Sequence, residues 1–251
     1  MNPKPYLSVV VPAYNEAANF NRGSLAGVYG FLKERSYSFE LILVDDGSED
    51  ATLSMFRQFA EGKPEVKVIP APHRGKGPTV AEGMLTATGE NRLFTDFDQS
   101  TPIQEAEKLL GYRKKGFDIV IGSREIAGSK REAEPWYRHL MGKGFNFGVQ
   151  LLTVRGIKDT QCGFKLFSAG VTKDLFNKVR VTVKPQTDAF TGALDVELLY
   201  LAQKYRYKIA EVPVHWQHVQ SARVNPLKDS FRMAKDVLKI RYTDLRGGYE
   251  T

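Results

Sequence analysis

Arg92-Leu-Phe-Thr-Asp-Phe-Asp-Gln-Ser-Thr-Pro102 is the stretch on which the reading of this chain turns. Leu93 and Phe94 read as the end of a buried strand. Asp96 and Asp98 follow at spacing two, so on an extended backbone both carboxylates face one side. Two like charges held together repel unless a cation lies between them. Mg²⁺ or Mn²⁺ takes carboxylate oxygens and keeps positions open for a substrate's phosphates. Thr101-Pro-Ile-Gln104 then predicts a helix start, with Thr101 as N-cap, Pro102 at N1 and Gln104 completing a capping box. The acidic pair is thereby placed at the C-terminal end of a strand, where open α/β sheets bind ligands. The alternative is an acidic turn that only caps the helix.

Working outward, short β-branched runs recur before polar turns. Leu7–Val11, Glu40–Val44, Val66–Ile69 and 118–121 predict strands buried on both faces. Between them lie apolar residues at helical spacing: Leu25, Val28, Tyr29 and Leu32; Leu53, Phe56, Phe59 and Ala60; Val80, Ala81, Met84 and Leu85; and a helix over 102–115. Strand–helix alternation with short links predicts a parallel sheet flanked by helices on both faces, its polar turns opening on one edge. Beyond Arg124 the pattern changes. Glu125–Glu134 is a charged, Gly-containing loop, and Pro135–Thr153 is helical with broad apolar cover. A strand is expected within Asp159–Phe167, a helix over Asp195–Lys204, a strand over Ile209–Val214 and a last helix over Pro226–Tyr242.

Composition narrows the class. The chain has 251 residues, 42% hydrophobic, with one cysteine and a net charge of +7. That is enough for one large domain or a domain with an appendage. Cys162 alone excludes an internal disulfide and suits a reducing compartment. No apolar run approaches the roughly 18–20 residues of a membrane span, and Met1–Pro5 shows no signal-peptide core. Positive charge fits nucleic acid, an anionic membrane or phosphate-bearing substrates. Its placement discriminates among these. In the last helix Leu227, Phe231, Ala234 and Leu238 form an apolar stripe, and Lys228, Arg232, Lys235 and Lys239 form a basic flank. This is the pattern of a helix lying on an anionic membrane surface. A helix packed on its own domain with a solvated basic face is the alternative. The basic residues do not interleave with stacking aromatics, which argues against nucleic acid.

The turns Val11-Pro-Ala-Tyr-Asn-Glu16 and Val44-Asp-Asp-Gly-Ser48 offer polar groups for a base edge and a ribose. Arg74-Gly-Lys-Gly77 adds a cation and flexible backbone at a helix start, which favours phosphate. Neither a P-loop nor a dinucleotide-binding glycine fingerprint is present. Cys162 reads as a packed residue, since its motif holds no histidine. His215 and His218 read as loop residues, and Trp136 and Trp216 as core or interfacial anchors.

The order of these motifs, followed by Gly122-Ser-Arg124, resembles the family-2 glycosyltransferases of the GT-A fold. Arg155-Gly-Ile-Lys-Asp-Thr-Gln-Cys-Gly-Phe-Lys-Leu-Phe167 and Leu194-Asp-Val-Glu-Leu-Leu-Tyr-Leu-Ala-Gln203 resemble the dolichyl-phosphate β-glucosyltransferase branch, close to the dolichol-phosphate mannose synthases. The resemblance runs from about Ser8 to Tyr242. It implies a GT-A (Rossmann-like) α/β fold with a mostly parallel sheet over 1–225, split into a nucleotide half (1–124) and an acceptor half (125–225). Residues 226–251 would then be an amphipathic, membrane-surface helix and tail.

The same resemblance implies roles. Pro12, Ala13, Tyr14, Glu16 and Asp45 would hold base and ribose, with Asp46 supporting that turn. Lys76, with Gly77 beside it, would approach the base or the diphosphate. Asp96, Asp98 and Gln99 would hold Mg²⁺ or Mn²⁺, with Phe97 between the acids in the place of a usually small residue. Arg124 would face phosphates. Asp159, Gln161 and Lys165 would line the sugar and acceptor side, Asp195 and Glu197 would occupy the acidic motif of the second half, and Arg223 would meet a lipid phosphate. The expected reaction moves a hexose with inversion, glucose from UDP-glucose in the first instance, to a polyprenyl or dolichyl phosphate at the cytoplasmic face of a membrane. GDP-mannose or UDP-GlcNAc as donor, or a soluble hydroxyl acceptor, is the alternative. A hydroxyl acceptor would need a base, Asp159 or Asp195. A phosphate needs only cations, for which Arg124, Arg138, Lys165 and Arg223 are the candidates. Relatives of this kind carry an N-terminal membrane segment or C-terminal spans, and neither is expected here.

Overall fold

The computed structural model describes residues 4–20, 23–131, 153–182, 193–217 and 226–250, with backbone only for 226–230. Arg223, His218, Trp136, Arg138, most of the helical pattern at Pro135–Thr153 and most of the 182–192 link lie outside the described residues. The chain alternates β1 (Leu7–Ala13), α1 (Ala17–Phe20), α2 (Ser24–Lys33), β2 (Phe39–Asp46), α3 (Thr52–Ala60), β3 (Val66–Ala71), α4 (Lys76–Thr86) and β4 (Asn91–Thr95). A 3₁₀ turn (Ile103–Glu105), α5 (Ala106–Lys114), β5 (Ile119–Ser123) and β6 (Lys130–Arg131) follow. Then come β7 (Phe164–Ser168), α6 (Ala169–Lys178), α7 (Leu194–Lys204), β8 (Ile209–Pro213), β9 (His215–Trp216) and α8 (Pro226–Leu245).

Among the described residues the strands form a seven-stranded sheet, ordered β3-β2-β1-β4-β7-β5-β8, and a two-stranded sheet of β6 and β9. The uninterrupted apolar runs are explained by cover on both faces. Val10, Ile42, Val44 and Phe94 pack with Val80 and Met84 of α4, Leu175 of α6, Leu198 of α7 and Val237 of α8. Val9, Val11, Leu41 and Leu43 point the other way, onto Leu25 and Leu32 of α2, Phe56 of α3 and Leu109 of α5.

Two expectations change. β7 is antiparallel to both β4 and β5. The chain re-enters the sheet from the edge where β5 ends, so this strand runs backwards inside an otherwise parallel sheet. Thr101 is not a helix cap. Helical geometry begins two residues later with the 3₁₀ turn, flanked by Pro102 and without a side-chain cap. The Thr101 hydroxyl lies instead 3.8 Å from the Cys162 sulfur in the core.

The last helix has two apolar faces. Val237 and Ile240 are buried in the same core as the sheet, with Met233 against it. Phe231 (76% exposed), Leu238 (59%), Tyr242 (54%) and Leu245 (78%) remain outside. At 100° per residue these four fall within about 60° of arc. Residues 226–250 therefore share the domain's core while keeping an uncovered apolar stripe.

Candidate active site

Parallel strands deliver their following turns to one edge, and the predicted motifs collect there. β1 lies between β2 and β4, with Ala13 beside Asp45 and Val10 beside Phe94. Asn15 adopts a left-handed backbone (φ 52°), a conformation that asparagine tolerates because its side chain bonds locally. Its amide oxygen accepts from the Glu49 (2.8 Å) and Asp50 (3.3 Å) backbones. The first turn is thus latched to the second. Tyr14 stacks on His73 at 4.1 Å with planes 16° apart. The Glu16 carboxylate accepts from Asn19 at 2.5 Å.

The two acids of the second turn divide. Asp46 accepts from the backbones of Arg74 (2.8 Å) and Gly75 (2.9 Å), and its Oδ2 lies 2.9 Å from the His73 ring. It clasps the approach to α4. Asp45 is 1% exposed; its Oδ2 accepts from the Ser48 backbone at 3.1 Å, and its Oδ1 is buried without a protein partner. A buried carboxylate oxygen left unpaired is costly, and a ligand donor would relieve it.

At the acidic turn, Lys76 Nζ sits 2.5 Å from Asp96 Oδ1. Burial alone would lower the lysine pKa, but the Asp96, Asp195 and Asp98 charges outweigh it and hold the group above its ordinary range. Asp98 Oδ1 accepts from the Ser100 backbone at 2.9 Å. Burial first, then the Asp96 charge, pushes the Asp98 carboxyl up. Gln99 (φ 53°) turns its amide nitrogen to the Asp96 carbonyl at 2.8 Å, and its Oε1 is buried without a partner. This donor set suits a hard cation: two oxygen-bearing acids, one of them raised by the other, and an unfilled amide oxygen. Among the described residues no cluster of three or more His, Cys, Asp or Glu side chains is placed to enclose a metal. An ion here would take its remaining ligands from substrate phosphates and water, as open sites do. Phe97 does not line this cleft with its side chain. It is 4% exposed and packs on Phe56 at 5.6 Å, so its bulk is answered by the core.

The Asp159–Lys165 stretch crosses beside the acidic turn. Asp159 is fully buried and forms a two-pronged pair with Arg124, Nε to Oδ2 at 2.8 Å and Nη2 to Oδ1 at 2.9 Å. It also accepts from the Arg124 backbone at 2.9 Å and the Gln161 backbone at 3.2 Å. Burial would raise this carboxyl, but Arg124 outweighs it and holds it down at about 2. The Arg124 guanidinium also lies 5.6 Å from the Trp216 ring, with Arg131 at 5.3 Å. Lys165 is fully buried between the Cys162 carbonyl and Asp195, the latter at 2.5 Å. The Gln161 side chain meets Met233 of α8. Arg124 and Lys165 therefore neutralise Asp159 and Asp195 within the protein. Burial pushes the Cys162 thiol up to about 11, which leaves no thiolate at neutral pH.

Sequence reasoning passed over Gly163, where a Cβ would lie 2.1 Å from Asp96 Oδ2. The acidic turn rests on this bare backbone. Gly163→Ala is expected to displace the Asp96 carboxylate and weaken Mn²⁺-dependent nucleotide binding at least tenfold. Calorimetric titration checks this, and unchanged binding counts against the packing argument. Glu197, which the resemblance places in the acidic motif of the second half, is fully buried in α7 and accepts from the backbone amides of Arg180, Val181 and Thr182.

The mostly parallel seven-stranded sheet flanked by helices is the GT-A fold of glycosyltransferases. Glucosyl-3-phosphoglycerate synthase from Mycobacterium tuberculosis, solved with Mn²⁺, uridine diphosphate and glucosyl-3-phosphoglycerate, superposes with a TM-score of 0.65 at 20% identity, over 95% of this chain and 79% of that one. A mannosyltransferase from Pyrobaculum calidifontis, solved with GDP-Man and Mn²⁺, superposes with a TM-score of 0.61 at 19% identity, over 98% of this chain and 65% of that one. Residues 8–176 match the sequence profile of glycosyl transferase family 2, and the chain belongs to that family. It is 36% identical to the dolichyl-phosphate beta-glucosyltransferase of Dictyostelium discoideum, over 96% of this chain and 76% of the relative. The Homo sapiens protein of that name is 34% identical, over 99% of this chain and 78% of its own length.

Proposed function

We propose that this glycosyltransferase moves glucose from UDP-glucose to a polyprenyl or dolichyl phosphate, inverting the anomeric carbon, at the cytoplasmic surface of a membrane. The observation that carries this reading is identity of about one third to dolichyl-phosphate beta-glucosyltransferases over nearly the whole chain.

Asp45 Oδ1 offers a buried acceptor for a base or ribose donor, beside the Tyr14–His73 stack. Lys76 lies where negative charge grows as the nucleoside diphosphate departs, and such charge stabilisation is most effective in the transition state. Asp96 and Asp98, with Gln99 Oε1 within the same turn, would hold a divalent cation, which would supply further neutralisation of the leaving group. The acceptor follows from the state of the acids. Asp159 is paired with Arg124 and Asp195 with the buried Lys165, so neither is a free general base. A phosphate acceptor, already anionic near neutral pH, needs none. This favours a lipid phosphate over a hydroxyl.

No helix among the described residues is long and apolar enough to cross a membrane. The uncovered stripe of α8, flanked by Lys235, Lys239 and Arg246, supports a peripheral mode of binding. Burial of such side chains contributes about 1.5–3 kcal/mol each, and basic residues add attraction to anionic lipids. Phe231→Asp combined with Leu238→Asp is expected to cut binding to phosphatidylserine-containing vesicles at least tenfold. Affinity for UDP-glucose without lipid should stay unchanged. Vesicle flotation measures the first and calorimetry the second; unaltered flotation removes α8 as the membrane contact.

The function itself is tested by incubating the protein with UDP-glucose, Mg²⁺ or Mn²⁺ and a short polyprenyl phosphate, with GDP-mannose and UDP-GlcNAc as rival donors. A β-linked glucosyl lipid is expected. Absence of any glycolipid with every donor defeats the proposal.

A further inference from the structure

The C-terminal tail carries a buried tyrosine for which the reaction has no obvious use. Tyr249 is 1% exposed although Gly248 and Glu250 beside it are exposed. Its hydroxyl donates to Glu197 Oε1 at 2.6 Å. Glu197 in turn accepts from three successive backbone amides, Arg180 (2.8 Å), Val181 (2.9 Å) and Thr182 (2.8 Å), and from the Thr182 hydroxyl at 2.6 Å. No cation among its described partners shares the charge; oriented N–H and O–H dipoles hold it. Such networks fix geometry firmly when every member is satisfied.

The held segment reaches the cleft. The Thr182 carbonyl is so close to Gly77 that a Cβ there would lie 2.2 Å from its oxygen. Gly77 directly follows Lys76, whose ammonium sits on Asp96. A continuous chain of contacts thus runs from Tyr249 through Glu197 and Thr182 to the start of α4.

We propose that Tyr249 is a positioning residue for the donor side of the cleft: by holding Glu197 it seats the Thr182 carbonyl against Gly77 and so sets where Lys76 stands. This rests on the donor-site reading above. Tyr249 touches no reacting atom. Its effect is geometric, and displacements on the scale of 1 Å near a reacting centre can cost as much as about 10²-fold in rate.

Tyr249→Phe keeps the ring in its cavity and removes only the hydroxyl. Tyr207→Phe is the control, since that hydroxyl also donates to a carboxylate, Asp174, at 2.7 Å. Asp174 lies on α6, outside the contacts just described. In the full chain, Tyr249→Phe is expected to weaken Mn²⁺-dependent UDP binding and raise KM for UDP-glucose about five- to twentyfold. KM for the polyprenyl phosphate should not move. Hydrogen exchange at the Lys76, Gly77 and Thr79 amides should quicken in Tyr249→Phe and not in Tyr207→Phe, whatever their melting temperatures. Equal UDP affinity in Tyr249→Phe and the unaltered protein overturns the inference while leaving the donor site standing. A matching loss in Tyr207→Phe reduces the effect to general stability and also overturns it. If the unaltered protein binds no UDP, donor site and inference fall together.

Discussion

Asp98→Asn is expected to slow sugar transfer by about 10²–10³-fold while leaving the cation-free protein at least as stable as before. The rate loss follows from removing one of two charges that would hold a cation on the leaving diphosphate. The stability result follows from the sign of the pKa shift. Burial and the Asp96 charge raise the Asp98 carboxyl. A group raised on folding contributes stability below its unfolded pKa and loses it as pH rises through the folded value. At neutral pH the ionised Asp98 is therefore a cost, and asparagine removes it while its carbonyl can still accept from the Ser100 backbone. Mn²⁺ at 100 times its Kd should stabilise the unaltered protein by about 2.7 kcal/mol, a Tm rise on the order of 5–10 °C for a chain of this length. The variant should show little of that rise. Calorimetric melts with and without Mn²⁺, beside a transfer assay, check both halves. A variant that keeps a tenth of the activity, or the full Mn²⁺ shift, contradicts the assignment.

Asp159→Asn is expected to act first on stability. It leaves the Arg124 guanidinium, whose side chain is only 19% exposed, without its counter-charge, a change expected at the lower end of the about 3–5 kcal/mol typical of buried pairs, or a Tm fall on the order of 10 °C. Because the two side chains act as one unit, the double variant Arg124→Gln/Asp159→Asn should cost clearly less than the sum of the single changes. The same pair predicts acid sensitivity. Asp159 titrates at about 2 in the folded protein against an ordinary 3.8. Its contribution is present above the unfolded value and lost as pH falls towards 2, amounting to about 2 kcal/mol. Acid melts of the unaltered protein and of the double variant should therefore diverge above pH 4 and converge below it. Additive single-variant costs would show that the pair is not a unit.

The strands of the first half were legible because burial on both faces leaves no polar alternation, so Leu7–Val11 and Glu40–Val44 read as unbroken apolar runs. The donor-side turns were legible because parallel strands put their ends on one edge, whatever the details of packing. Phe97 was misleading because spacing two aligns Asp96 with Asp98 but does not reveal what lies behind them. Only α3, packed below, shows that Phe56 receives the ring. Thr101 had every local feature of a cap, and a sulfur 61 residues away took its hydroxyl. Arg124 and Asp159 stood in the sequence as two separate candidates, 35 residues apart. Nothing local marks them as partners.

The amino-acid sequence by itself determined the α/β alternation, the edge on which the polar turns gather, the acidic pair and the apolar stripe with its basic flank on the last helix. These depend on periodicity and on residues close in the chain. Tertiary structure alone decided which charges are free for a ligand and which are consumed inside the protein: Asp45 left with an open oxygen, Asp159 and Asp195 closed by Arg124 and Lys165, Glu197 committed to the backbone. A carboxylate's chemistry depends on what stands within a few ångströms of it, and long-range folding, not sequence proximity, supplies those neighbours.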